Sequence, residues 1–283
     1  MKNIFLFIRL LLTTNLLTAQ QTMTPELLWQ VERLSVMGLD SEGTTLYFAV
    51  NTPNIEKNSY DYTYFKMPVN GGDIIEIKKE DVAAVDKNVS EDGMYKLFHK
   101  DVHIENIKGT DIYKNLDKSD VYIYSDLDIR HWDTWSDGGF SHVFYKKTDA
   151  EENAGIDIMP NEPYQSPQQP FGGDEDYIWS PDSKSIYYVS KKLQGKAYAN
   201  STNSDIYKYN LASKTTENIT DDNEGYDTSP AFSSHGALAW LQMKTDGYES
   251  DKNDIVVLDN GIKQNLTQQW DGTVRSFISS NDG

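Results

Sequence analysis

One kind of turn recurs along this chain at near-regular distances. "LDSEG" ends at Gly43, "VSEDG" at Gly93, "WSPDS" at Ser183, "FSSHG" at Gly236 and "ISSNDG" at Gly283, so the intervals are 50, 90, 53 and 47 residues. Ser, Asp, Asn and Gly suit such places because their side chains bond the nearby backbone or because they tolerate positive φ. An alternating strand follows each of the first four turns: "TTLYFAV", "YKLFHK", "SIYYVSK" and "ALAWLQM". Such alternation buries one face of a strand and wets the other. The interval of 90 is nearly two periods, which predicts a disguised turn near "WSDGGFSHVF".

A second unit repeats further on. "SDIYKYNLASKTTENIT" begins at Ser204 and "NDIVVLDNGIKQNLT" at Asn253, each a strand, a tight turn and a strand closing on Asn-x-Thr. "YFKMPVNGGDIIEI" over 64–77 has the same shape. A period near 50 with four short strands is the pattern of β-propeller blades. A four-stranded sheet of this size cannot bury both faces alone, so blades stack and share a core. A β-sandwich is the alternative, but its turns would lack the longer period. The expected fold is therefore all-β, a propeller of four-stranded blades with about five blades or parts of them. It reads as incomplete, because the sequence stops inside a blade. A short helix is expected first, in "TPELLWQVERL": Thr24 caps it, Pro25 opens it, and Leu27, Leu28, Val31 and Leu34 share a face.

Composition narrows the function. The net charge of −18 would repel a phosphate backbone, so nucleic acid is not expected as a partner. There is no cysteine, which excludes disulfides, thiolate metal sites and a cysteine nucleophile. "MKNIFLFIRLLLTTNLLTAQQ" has Lys2, an apolar run and a cut site after Ala19, which reads as a signal for export to the periplasm or medium. It is too short to span a bilayer, so no membrane insertion is expected after its removal. A start at Met23 would instead make the protein cytoplasmic. The organisation expected is a signal at 1–19, a helical segment at 20–37 and an incomplete propeller at 38–283.

"RHWDTWSDGGFSHVF" (130–144) and "MPNEPYQSPQQPFGGDEDYIWSPDS" (159–183) resemble the N-terminal propeller of prolyl-oligopeptidase-family serine peptidases. So do "STNSDIYKYNL" (201–211), "NEGYDTSPAFSSHGALAWLQM" (223–243) and "GYESDKNDIVVL" (247–258). The branch they resemble holds dipeptidyl-peptidase V and acylaminoacyl-peptidase-like enzymes, and "MTPELLW" (23–29) fits its usual start. The resemblance implies a second, α/β-hydrolase domain, absent from this sequence, with Ser, Asp and His acting through an acyl-enzyme. It implies a propeller that limits entry to short peptides and helps to hold their N-termini. The expected function is thus the non-catalytic, substrate-gating part of a serine exopeptidase releasing dipeptides or acylated residues from oligopeptides. The chain by itself is expected to be inactive. The alternative is a free-standing periplasmic propeller that binds a protein partner.

No catalytic residue is expected here. "GFSHV" (139–143) has Val143 where a nucleophile elbow needs Gly, so Ser141 and His142 read as strand residues. Substrate-binding candidates are His131, Glu151 and Glu152. Paired glutamates grip a substrate amine in related dipeptidyl peptidases, but in "KKTDAEENAG" the plainer reading is a solvated loop. His131 stands among Trp132, Asp133 and Trp135, and the plainer reading there packs both tryptophans between blades. "DDNEG" (221–225) reads as a blade-joining loop, and Asn218 and Asn265 as strand-end hydrogen-bonding residues rather than glycan sites. His99 and His103 have i, i+4 spacing without a helix, so neither metal nor cofactor is expected.

Overall fold

The computed structural model describes residues 22–127 and 129–280. The expected signal segment, 1–19, lies outside them, as do Asn281, Asp282 and Gly283 of the closing turn. No helix of the described residues is long and apolar enough to cross a membrane. The chain divides after Asp86 into two compact units.

The first unit opens with α1 (Pro25–Gln30), where Thr24 Oγ1 accepts a hydrogen bond from Leu27 N at 3.2 Å and Pro25 fills the first position. The helix is shorter than the expected segment of 20–37. Residues Arg33–Leu39 leave it to become β1, pairing antiparallel with β2 (Thr45–Asn54). A six-residue helix has little stability of its own, and a strand ladder outweighs it. Leu34 therefore sits opposite Val50 instead of on a helical face. β3 (Ser59–Pro68) and β4 (Ile75–Ile77) complete a sheet in the order β1-β2-β3-β4. Tyr47 and Ala49 are its buried residues, and Phe48 stacks on Phe65 at 5.5 Å.

The second unit contains three more sheets in succession. The first of these joins β5 (Tyr95–His103) to β8 (Gly139–Lys147) and β9 (Ile156–Asp157). Between β5 and β8 come α2 (Gly109–Ile112) and a two-stranded ribbon, β6 (Arg130–His131) with β7 (Thr134–Trp135). The 90-residue interval is thus one blade lengthened by an insertion over 104–138, and "GFSHVF" is its second strand rather than a new blade's first. The next sheet runs β10 (Tyr177–Trp179), β11 (Ser185–Ser190), β12 (Asp205–Asn210), β13 (Thr216–Asn218), with α3 (Gly195–Asn200) between β11 and β12. The last runs β14 (Asp227–Phe232), β15 (Leu238–Gln242), β16 (Asp254–Asp259), β17 (Ile262–Asn265). Residues 275–280, expected to lead into a further blade, form no strand.

Two apolar cores lie between successive sheets. Leu97, Val143 and Tyr145 of one pack with Trp179, Ile186 and Tyr209 of the next. Val189 and Ile206 of that sheet pack in turn with Leu238, Trp240 and Val256. Trp179 and Phe232 therefore belong to successive sheets, each using its neighbour to keep apolar surface from water.

The recurring turns are one structure repeated. Gly43, Gly93, Ser183 and Gly236 all take positive φ, at 67°, 71°, 58° and 86°. In two of them a serine and an aspartate clamp the backbone. Tyr95 N donates to Ser90 Oγ and Met94 N to Asp92 Oδ1, while Ser185 N donates to Ser180 Oγ and Lys184 N to Asp182 Oδ1. Ser183 holds a glycine-like conformation, and its Oγ accepts from Asp92 N of the preceding sheet at 3.2 Å. The Asn-x-Thr closures also repeat. Thr220 and Thr267 each donate their amide to the asparagine two residues back, at 3.0 Å in both. Their hydroxyls accept from Ile206 N and Ile255 N and donate to Asp205 and Asp254. This confirms Asn218 and Asn265 as strand-end hydrogen-bonding residues.

Candidate functional site

The insertion over 104–138 and the loops beside it enclose a cavity of about 720 Å³. Tyr124 and Trp135 line it as part of an aromatic stack. Tyr122 lies on Tyr124, Tyr124 on Trp135, and the Arg130 guanidinium covers the Trp135 ring at 5.3 Å. Tyr124 OH donates to Ser136 O at 2.6 Å and so fixes the stack to the ribbon. Burial, helped by Tyr122 and Asp137, pushes the Tyr124 phenol up, so it stays a neutral donor. Tyr164 and Tyr198 contribute from the far side.

The polar lining is acidic. Asp101, Glu105, Asp126 and Asp137 line the cavity with Arg130 as the one fixed cation among the lining residues. Asp137 is occupied by Gly139 N at 2.9 Å and Asp126 by Leu127 N at 2.8 Å. Asp101 and Glu105 form no ion pair among the described residues, so their charge is free to meet a ligand. Gly138 is required here: a Cβ at its position would lie 2.1 Å from Glu105 O, so no side chain fits between the ribbon and β5.

A second cavity, of about 560 Å³, adjoins the first through His131 and Gln169, which line both. It is walled by the 166–176 segment, the tip of the ribbon and the start of the last sheet.

The expected site residues are thereby separated. His131 stands at the junction of the two cavities, its ring 4.8 Å from that of Trp132. Glu151 and Glu152 lie exposed in the β8–β9 connection, where they open a single 3-10 turn, and neither lines either of these two cavities. The packing expected of Trp132 and Trp135 is corrected: they are 67% and 50% exposed. A two-stranded ribbon has no second layer to bury them, and Trp179 and Trp240 fill the places between sheets instead. Asp101, Glu105 and Tyr124 were missed, because nothing in their spacing marks residues gathered by an insertion.

Ser141 and His142 are residues of β8, as expected. His142 is fully buried, with Nδ1 2.9 Å from Asp157 Oδ2 and Nε2 2.8 Å from Glu162 O. A carbonyl oxygen only accepts, so Nε2 carries a proton. The second bond then needs one more proton, held by the ring or by Asp157. Ser141 points to the other face of the strand, so these residues form a structural clamp and not a triad. His99 Nδ1 meets Tyr177 OH at 3.0 Å, and no group of three or more metal-ligating side chains is found among the described residues. "DDNEG" links β13 to β14, with Asp222 paired to Lys263 at 2.6 Å.

Successive antiparallel sheets of three and four strands with shared cores are the pattern of a β-propeller. The Pyrococcus horikoshii acylaminoacyl peptidase structure shares this fold: TM-score 0.59 at 14% identity, covering 92% of this chain and 43% of that one. No protein-family model matches the chain. In sequence it is 35% identical over 283 residues to dipeptidyl-peptidase 5 of Porphyromonas gingivalis, covering 84% of this chain and 41% of that protein. It is 37% identical over 164 residues to dipeptidyl-peptidase 5 of Porphyromonas endodontalis, covering 57% and 23%. In sequence the chain is thus similar to dipeptidyl-peptidase 5, and its similarity to peptidase propellers supports a propeller domain of the prolyl-oligopeptidase family. The chain spans less than half the length of these relatives.

Proposed function

We propose that this chain is the non-catalytic, substrate-admitting part of an exported serine exopeptidase that releases dipeptides from oligopeptides. On this reading the cavity under 104–138 receives the amino end of the peptide. The similarity to dipeptidyl-peptidase 5 along 84% of the chain carries the proposal. The acidic lining supports it. An α-ammonium group beside Asp101 and Glu105 would gain charge-assisted hydrogen bonds, about twice as strong as neutral ones. The stacked Tyr124–Trp135 wall would hold the first side chains by apolar contact. Cleavage itself would fall to a hydrolase domain carrying Ser, Asp and His.

The test is a titration of the purified chain with alanyl-phenylalanine amide and with its N-acetyl derivative. The free amine should bind at least tenfold tighter, and Asp101→Asn with Glu105→Gln should abolish the difference. Equal binding of both peptides would remove this role from the cavity. The chain alone should not hydrolyse a dipeptidyl chromogenic substrate, and turnover would refute the non-catalytic assignment.

A further inference from the structure

The second cavity has a different character. Glu175, Asp176 and Glu249 line it, and no lysine or arginine does. Asp176 is 4% exposed, and its Oδ2 accepts from Gln168 N at 2.8 Å while Oδ1 receives no hydrogen bond among the described residues. A Cβ at Gly172 would lie 2.0 Å from Asp176 Oδ2, so the backbone packs closely against that oxygen of the carboxyl. Gln168 Oε1 and Asn253 Oδ1, also of the lining residues, are buried acceptors without a donor. Buried acceptors left unpaired are costly, and a buried carboxylate without a countercharge more so.

The aromatic residues of this cavity are equally out of place for a merely structural role. Trp132 and Phe171 are 67% and 80% exposed, and their rings meet edge to face at 5.6 Å. Trp132 sits at the tip of the ribbon with φ of +48°, a conformation glycine adopts freely and a tryptophan only at a cost. Ser229, at the opposite wall, is also left-handed, with φ of +54°. Strain of about 1–3 kcal/mol per residue persists where the surroundings hold it in place, and such residues cluster at ligand sites.

We propose that this cavity binds an organic cation of the guanidinium or alkylammonium class, with Asp176 Oδ1 as its counter-ion. Gln168 and Asn253 supply further acceptors, and Trp132, Phe171 and Tyr226 form its aromatic wall. Each unexplained feature then has one cause. Guanidinium and ammonium groups are donors without acceptors, which matches a lining rich in unpaired oxygens. The faces of exposed aromatic rings attract such cations, most strongly indole. Burial, and secondarily the charge of Glu175, pushes the Asp176 carboxyl up to about 7. A cation favours the ionised carboxylate, so binding weakens as the pH falls below about 7. Glu175 on the same turn, Glu249 from the last sheet, His131 from the ribbon and Tyr226 before β14 face the same space.

The experiment is calorimetric titration of the full chain with N-acetyl-arginine amide, with the neutral isostere N-acetyl-citrulline amide, and with methylguanidinium. The capped probes lack a free α-amine, so their outcome is independent of the amino-end role given to the first cavity. Capped arginine should bind at least tenfold tighter than capped citrulline, and about tenfold weaker at pH 5.5 than at pH 8. Methylguanidinium binding as tightly as capped arginine would support a site for free small cations, and capped arginine binding alone would support a site for a peptide side chain. Asp176→Asn should cost tenfold or more, and Glu249→Gln, an exposed change, a few-fold. Trp132→Gly removes the aromatic face while relieving the backbone, so it should cost at least fivefold in affinity with no loss of Tm. Equal binding of arginine and citrulline probes overturns the proposal, as does unchanged affinity in the Trp132→Gly variant or no binding at all.

Discussion

The last two sheets, β10–β13 and β14–β17, and the 104–138 insertion are made from the same kinds of residue, yet they bury them differently. In the last two sheets Trp240 is fully buried, its Nε1 donating to Asp227 Oδ1 at 2.6 Å, with Val189 and Ile206 of the preceding sheet against it. In the insertion Trp132 and Trp135 stand half or more exposed over cavities. A repeat has a partner surface waiting at each step, whereas an insertion has none and must leave its aromatic residues open. That contrast separates stability from recognition within one domain: the sheets hold the scaffold, and the irregular segment carries the candidate sites.

The comparison breaks most sharply if Trp240→Ala and Trp135→Ala behave alike. Trp240→Ala should destabilise by about 3–5 kcal/mol through the cavity it leaves. Trp135→Ala, on the exposed ribbon, should stay within about 1 kcal/mol. Chemical denaturation of both variants measures the difference, and near-equal losses would show that the ribbon is part of the core.

Asp227 sharpens it next. Its carboxyl accepts from Trp240 Nε1, Gln242 Nε2 and Asn223 Nδ2, and burial still pushes it up to about 6. A folded-state value above the unfolded one means the native state holds the proton longer. Stability from this group is therefore full below about pH 4 and lost as the pH rises through about 6. Asp227→Asn removes that dependence, so its cost should be larger at pH 4.5 than at pH 7, by roughly 2 kcal/mol. Denaturation at both pH values checks the sign, and a cost that grows with pH would reverse it.

A smaller effect is expected at the repeated closures. Thr220→Val and Thr267→Val each keep the shape and remove a hydroxyl that bonds both a backbone amide and an aspartate. Each should cost about 1–2 kcal/mol, and the two should match if the closures are equivalent. The smallest is Ser183→Gly. It relieves a left-handed φ but loses the bond from Asp92 N, so opposing terms should leave stability within about 0.5 kcal/mol.

The legible part of the sequence was the part governed by local chemistry. Turn composition located four positive-φ residues, and alternation located the strands after them. The Asn-x-Thr pattern marked two hydrogen-bonded strand ends. The helix was read from its cap but drawn too long, because its cap is local while its end is decided by β2, which claims Arg33–Leu39 as a partner. Of the candidate site, only His131 and its aromatic company were noticed. Asp101, Asp176, Asn253 and Glu249 come from distant stretches and share no spacing.

The sequence by itself determined that this is a chain of small antiparallel sheets, because turn chemistry and side-chain alternation act between residues a few positions apart. Tertiary structure alone decided that one interval held an insertion instead of a blade, which tryptophans were sheltered, and which acids faced a cavity. Those outcomes depend on which surfaces meet across long stretches of chain, and desolvation of a side chain is a property of the meeting, not of the residue.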